Sequence, residues 1–161
     1  MNHKVLFIAL GLVSLISGIQ SPPNIDGRWS VILDPTAPNE GRASYGGGNW
    51  GPEFTLSTES NSLIVVYTQG YNPVRLTYKL DGSESRNQIP VGRAGEKLES
   101  LSRAKWENGR LSITTVRIFG GMPIETKLVV SLDGERLVIL TTNPSKDKGP
   151  PTVIKTVYRR S

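Results

Sequence analysis

The chain offers few side chains for nucleophilic or metal chemistry. It has no cysteine, and its single histidine is His3, at the extreme N-terminus. Beyond that terminus, we therefore expect no Ser-His-Asp or Cys-His nucleophile, no zinc site and no haem ligation through His or Cys. Several carboxylates fall at predicted turns or strand ends, where charge is normally solvated: Glu59, Asp81, Glu107, Asp133 and Glu135. We predict no catalytic residue, no metal site and no cofactor.

The polar side chains of most interest lie on a predicted β-hairpin around Asn108-Gly109. Asn-Gly favours a two-residue type I′ turn, because both positions need positive φ. With this turn, one face of the ribbon is apolar near the loop, where Trp106 faces Leu111 and Ala104 faces Ile113. The same face then turns polar and carries Ser100, Ser102, Thr115 and Arg117.

Other alternating segments are expected to position this ribbon. Further turns are predicted at Ser60-Asn61, Asp81-Gly82 and Asp133-Gly134, and the last strand is predicted over 152–160. The Asp81-Gly82 turn would place Lys79 opposite Glu84, and the Asp133-Gly134 turn would pair Val130 with Leu137. No stretch shows a helical period. Nine or ten strands joined mostly by hairpins predict an all-β antiparallel fold.

The first 20 residues are predicted to be a signal peptide. Lys4 precedes an apolar-to-small run over residues 5–19, which is short for a membrane span. The alternative is an uncleaved N-terminal anchor, whereas a lipoprotein anchor is excluded because no cysteine follows the run. We therefore expect a secreted or periplasmic protein, with one domain over residues 21–161 and no membrane span after removal of the leader.

Charge argues against a nucleic-acid partner. The formal net charge is +5, and loss of Lys4 with the leader leaves 18 basic against 14 acidic residues, or +4. The basic residues are scattered apart from Arg159-Arg160, which is typical of a solvated surface.

Residues 34–52 are rich in glycine and proline and are predicted to form a long loop. Connections of this length are either functional lids or surface loops. Tyr45 and Trp50 would be the residues that hold such a lid in place. In the alternative, they are two aromatic side chains tucked under a surface loop.

Three features resemble known barrel families. Gly27-Arg28-Trp29 resembles the Gly-x-Trp that opens lipocalins, and the C-terminal half from Lys105 to Arg159 is similar to the last strands of the fatty-acid-binding proteins. With Asp34-Pro35 after the first strand, a Gly-rich loop and Leu80-Asp81-Gly82-Ser83-Glu84-Ser85, the mature chain also resembles an uncharacterised group of exported bacterial lipocalin-like proteins. These resemblances imply a lipocalin-like, antiparallel up-and-down β-barrel of about 8–10 strands that holds a small apolar or amphipathic ligand.

One departure from the fatty-acid-binding proteins affects the expected ligand. That family carries Arg-x-Tyr on its final strand to hold a carboxylate, whereas this chain has Thr156 before Tyr158. The resemblance therefore implies Tyr158 as a ligand contact but not the carboxylate clamp.

The predicted site lies inside the barrel. Trp29 and Trp106 are expected to form the floor, and the residues expected to contact ligand are Ser102, Thr115, Arg117, Tyr67, Tyr78 and Tyr158. A buried arginine is costly without a partner, so Arg117 must meet a carboxylate, a ligand or water. In the alternative, a β-bulge turns Arg117 outward and Leu101 and Val116 inward.

Three functions follow from this arrangement. The first is binding of a small, partly apolar molecule without catalysis. The second is a packed barrel that acts as an interaction or structural module of the cell envelope. The third is a lipid isomerase or cyclase, which would need a carboxylate or tyrosine beside Arg117.

Overall fold

A computed structural model describes residues 21–32, 50–69, 72–91, 96–145 and 149–161. These residues form ten antiparallel strands, and no helix occurs among them. The strands are β1 Gly27–Val31, β2 Glu53–Glu59, β3 Ser62–Gln69, β4 Asn72–Lys79, β5 Asp81–Val91, β6 Glu96–Glu107, β7 Arg110–Phe119, β8 Met122–Asp133, β9 Arg136–Asn143 and β10 Thr152–Arg160. The predicted all-β antiparallel barrel is confirmed.

The strands follow one another around a nearly closed barrel. The hydrogen-bonded order is β4-β3-β2-β1-β10-β9-β8-β7-β6-β5, so β1 lies between β2 and β10. Strands β4 and β5 stand at the two ends of this order and lie side by side, and we call the line between them the seam. Pro90 on β5 suits this position, because proline is tolerated on an edge strand.

The hairpin around Asn108-Gly109 has the predicted register. Asn108 and Gly109 have φ values of 50° and 71°, as a type I′ turn requires. Trp106 pairs with Leu111, and Ser102 pairs with Thr115. The β2–β3 register is also as predicted, with Phe54 opposite Tyr67.

Two predicted turns differ from the structure. In the β8–β9 hairpin Val130 pairs with Ile139 instead of Leu137, because Asp133 pairs with Arg136 and the loop is Gly134-Glu135. Gly134, with a φ of 60°, occupies the first central position of the loop, where a type II′ turn places glycine.

The predicted β4–β5 hairpin lacks a backbone ladder. Lys79 does not pair with Glu84 across this turn, since its backbone N–H bonds to the Ser85 hydroxyl at 2.8 Å. Glu84 forms its shortest ion pair with Arg86, at 3.2 Å.

The N-terminal lead-in folds under the end of the barrel that holds the β2–β3, β4–β5 and β6–β7 turns, and we call this end the floor. Ile25 is almost fully buried there beside Trp29, and the Trp29 indole N–H donates to the Ile25 carbonyl at 2.9 Å. The predicted leader over residues 1–20, Tyr45 and most of the 34–52 loop lie outside the described residues. Within the described parts of the chain, no helix is long and apolar enough to cross a membrane.

Candidate ligand site inside the barrel

One side of the interior is aromatic. The edge of Trp50 meets Phe54 with ring centroids 5.1 Å apart, and Phe54 meets Tyr158 in the same way at 4.8 Å. Trp50 also lies 6.2 Å from Tyr78 and donates its indole N–H to the Tyr78 hydroxyl at 3.3 Å. Tyr67 pairs with Phe54 on the neighbouring strand. These five residues form the aromatic wall.

The opposite side carries a row of hydroxyl groups. Ser85, Ser102, Thr115 and Thr126 are successive register partners across β5, β6, β7 and β8, and all four are buried. The hydroxyls of Ser102 and Thr115 share a hydrogen bond of 2.9 Å. A core filled only for stability would place apolar groups here, because a buried polar group must be hydrogen-bonded to avoid a desolvation cost. We call these four residues the hydroxyl row.

The next row of register partners contains the positively charged Arg117. Asn87 pairs with Ser100, and Ser100 pairs with Arg117. The Ser100 hydroxyl donates to the Asn87 carbonyl at 3.4 Å. Asn87 itself is 7% exposed and uses its amide group to bond across the seam to Thr77.

Arg117 faces the interior. The β6–β7 register runs without interruption from the turn to Arg117, so the alternative β-bulge is not formed. The side chain is half-buried, and its Nε is buried with no hydrogen-bond partner among the described residues. Its positive charge acts on Tyr67 and Tyr78 across the interior.

Both of these tyrosines remain protonated near neutral pH. Burial raises the pKa of Tyr67, and the charge of Arg117 opposes this only in part. Burial raises the pKa of Tyr78 to about 12, although the hydrogen bond from Trp50 and the charge of Arg117 act in the opposite direction. The two hydroxyls are thus available as neutral hydrogen-bonding groups.

The structure brings most of the predicted site residues together. Arg117, Ser102 and Thr115 share the inner face of one hairpin, and Tyr67 and Tyr78 face them. Tyr158 is fully buried, and its hydroxyl donates to the Gly51 carbonyl at 3.2 Å. Trp50, the predicted lid residue, is buried in the aromatic wall.

Three polar residues of these two rows were not predicted to lie inside the barrel: Ser85, Asn87 and Thr126. Ser85 and Asn87 were not expected inside because the sequence of β5 is polar and contains Pro90, which limits a strand to a sheet edge or an irregular end. The signal was their spacing, since Ser85, Asn87 and Ile89 alternate on one face of β5 and all three are buried.

In the sequence comparisons, no family model and no curated protein matches the chain. Structural comparison finds solved barrels of similar fold. A variant of the fluorescent protein UnaG superposes with a TM-score of 0.56 at 18% identity. The match covers 85% of this chain and 96% of the UnaG chain. The apo lipid binding protein 8 of Caenorhabditis elegans has the same TM-score at 11% identity, with coverages of 84% and 94%.

The fold is like that of the calycin barrels. At these identities the likeness establishes the fold alone, and the resemblance to fatty-acid-binding-protein-like barrels noted in the sequence is confirmed to that extent. Calycin barrels enclose an interior lined by alternate residues of each strand. The aromatic wall, the hydroxyl row and Arg117 are the lining that this chain provides.

Proposed function

We propose that this protein binds a small, partly apolar molecule inside its calycin barrel and releases it unchanged. The observation that carries the proposal is Arg117, a guanidinium directed into the barrel with a buried Nε that has no partner among the described residues. Burial of such a donor is costly unless a bound group completes its hydrogen bonds. A ligand with an acceptor group at Arg117 and an apolar body against the aromatic wall meets both requirements.

The site chemistry supports binding more than conversion. The buried polar residues of the described chain are serine, threonine and asparagine, without a carboxylate. Tyr67 and Tyr78 satisfy the geometric condition for the isomerase or cyclase hypothesis, since both face Arg117. Their raised pKa values make them poor general bases near neutral pH, because the tyrosinate form is scarce.

The proposed setting is the periplasm or the extracellular space. Its support is the sequence pattern of residues 1–20, with Lys4 before an apolar run. Mass spectrometry of the protein from its own cells tests this by showing whether the leader is removed.

The test of the binding function is native mass spectrometry of the full-length gene product, purified without detergent from its own cells. A co-purifying small molecule that is lost from an Arg117→Met variant supports the proposal. A ligand-free mass for the native protein, together with failure to bind an anionic apolar dye, contradicts it.

A second candidate function is an interaction module of the cell envelope. Its support is the β7–β8 hairpin tip, where Ile118, Phe119 and Met122 are exposed and Met122 shows 68% of its surface. Exposed apolar groups of this kind often mark contact surfaces. If this function is correct, a Phe119→Ser/Met122→Ser variant loses cross-linking to envelope proteins in cells but retains dye binding.

A further inference from the structure

The floor of the barrel has an outer surface that the interior site does not use. The lead-in segment 22–26 is fixed beneath the barrel at several points. The Arg160 guanidinium stacks 4.9 Å from the Trp29 ring and donates to the Asn24 carbonyl at 3.4 Å. Ile25 is buried and its carbonyl accepts the Trp29 hydrogen bond, so the segment is anchored and forms a wall beneath the barrel.

A groove of about 540 Å³ lies between this wall and the turns of the floor. This volume falls in the range of roughly 300–1,000 Å³ that small-molecule sites occupy. We call it the floor groove. The residues that decide its chemistry are Trp106, Leu80, Asp26, Asp81, Asn61 and Lys105.

Trp106 and Leu80 provide the apolar part of the floor groove. Both are half-buried and pack against the core, so the part of each that remains exposed is held in place. Trp106 makes no side-chain hydrogen bond within the described residues. Its indole ring therefore offers both an apolar surface and a free N–H donor.

Two carboxylates are fixed around this aromatic centre. Asp26 Oδ1 accepts a hydrogen bond from the Thr58 hydroxyl at 2.8 Å, and Asp81 Oδ1 accepts one from the Ser83 backbone N–H at 2.8 Å. The remaining Asp26 oxygen has no hydrogen-bond partner in the described part of the chain, whereas the Asp81 carboxylate is also hydrogen-bonded to the Ser83 side chain. Each is thus an oriented acceptor beside the floor groove.

Hydrogen-bond donors line the same space. The Asn61 side chain is exposed at the β2–β3 turn, and Lys105 pairs with Asp81 in the register while its ammonium lies 3.3 Å from Glu107. A ligand here meets donors and acceptors around one aromatic ring. Sugars match this pattern, because a pyranose has an apolar C–H face and a rim of hydroxyls that both donate and accept.

We propose that the floor groove binds a neutral carbohydrate, with a sugar ring against Trp106 and hydroxyls on Asp26, Asp81 and Asn61. An organic cation would also suit an indole beside two carboxylates. The presence of Lys105 and of amide donors in the groove favours the neutral ligand, since these groups have nothing to bond on a cation.

The experiment is an NMR titration of the full chain, labelled with ¹⁵N, against a panel of neutral disaccharides that varies the linkage and includes N-acetylated sugars. Concentrations up to about 10 mM detect dissociation constants into the millimolar range. We expect at least one sugar to give saturable shifts of the Trp106 indole N–H and the Asn61 side-chain amide.

Two surface variants avoid the risk that a change at Trp106 unfolds the barrel. Asn61→Ala and Asp26→Asn should each weaken binding by roughly 2- to 10-fold, the loss expected for one hydrogen bond. Asp133→Asn, at the β8–β9 turn outside the groove, is the matched control and should bind as the native chain does.

Three results overturn the proposal. The first is a lack of shifts at Trp106 and Asn61 with every sugar of the panel. The second is a response of these signals to tetramethylammonium but to no sugar, which would assign the groove to organic cations. The third is an equal loss of affinity in the control variant.

Discussion

The side chain of Asn87 on β5 makes the two hydrogen bonds to Thr77 of β4 that a backbone partner would make in a regular sheet. Its Oδ1 accepts a hydrogen bond from the Thr77 backbone N–H at 2.8 Å, and its Nδ2 donates to the Thr77 carbonyl at 3.0 Å. Ser85 adds a bond to the Lys79 N–H. The seam is thus closed by side chains of β5 in place of its backbone.

Substitution Asn87→Ala should therefore weaken the seam. Both backbone groups of Thr77 lose their partner, and we expect the free energy of unfolding to fall by about 1–3 kcal/mol. Urea denaturation measures this loss, and hydrogen exchange should show faster exchange of the Thr77 amide. Gln88→Ala, on the exposed face of the same strand, is the control and should change stability by less than about 0.5 kcal/mol. Equal losses for the two variants would contradict this role of Asn87.

The seam also shows why the sequence predicted only part of the fold. Asp81-Gly82 is a strong turn signal, so a regular hairpin was expected there. Serine and asparagine side chains compete with the backbone for hydrogen bonds, and Ser85 and Asn87 do so across the seam. This outcome depends on the distance between two strands that sequence alone does not give.

Turns differed in how well their residues predicted register. Asn108-Gly109 fixed the pairing of Ser102 with Thr115 because both turn positions need positive φ. Asp133-Gly134 is compatible with two loops, Asp133-Gly134 itself or Gly134-Glu135. The structure has the second, in which glycine is the first loop residue. The inward direction of Arg117 follows from the first turn, whereas its proximity to Tyr67 and Tyr78 depends on closure of the barrel.

Arg117 should have opposite effects on stability and binding. Removal of its partly buried charge in Arg117→Met should raise the free energy of unfolding of the ligand-free protein by about 1 kcal/mol. Loss of a charge-assisted hydrogen bond should weaken binding of anilinonaphthalene sulfonate, an anionic apolar dye, by about 10- to 100-fold. Fluorescence titration and urea denaturation measure the two effects.

The control for Arg117 is Arg110→Met on the same strand, where the side chain is exposed at the turn. It should leave dye affinity unchanged. Unaltered dye binding in Arg117→Met, or an equal loss in both variants, would exclude Arg117 as the anchor.

Tyr78 should make the protein less stable at high pH. An unfolded tyrosine ionises near pH 10.0, whereas the folded protein holds the Tyr78 proton until a pKa of about 12. The stabilisation is complete below pH 10.0 and is lost as the pH rises toward about 12, because the unfolded state then binds fewer protons. The full effect is about 2–3 kcal/mol, and the raised pKa of Tyr67 adds to it in the same direction.

A Tyr78→Phe variant isolates this effect. It loses the hydrogen bond from Trp50, which should cost about 1 kcal/mol at neutral pH. Its stability should then fall less steeply than that of the native protein above pH 10.0, while lysine titration is common to both. Chemical denaturation at several pH values measures both proteins. If the free energies of unfolding of the variant and the native protein fall in parallel above pH 10.0, Tyr78 does not cause the loss of stability.

Ser102 and Thr115 allow the hydroxyl row to be tested as a pair. Thr115→Val keeps the side-chain shape but removes the partner of the buried Ser102 hydroxyl, so it should cost about 1–3 kcal/mol. Ser102→Ala with Thr115→Val removes both polar groups and should cost less than the sum of the single variants, with a coupling energy of about 0.5–1.5 kcal/mol. If the row serves a ligand, the double variant remains folded but loses affinity for the molecule that co-purifies with the native protein. A double variant that is stable and retains full affinity would make the row a structural feature of the barrel, and Arg117 would then be the single polar contact that the binding proposal requires.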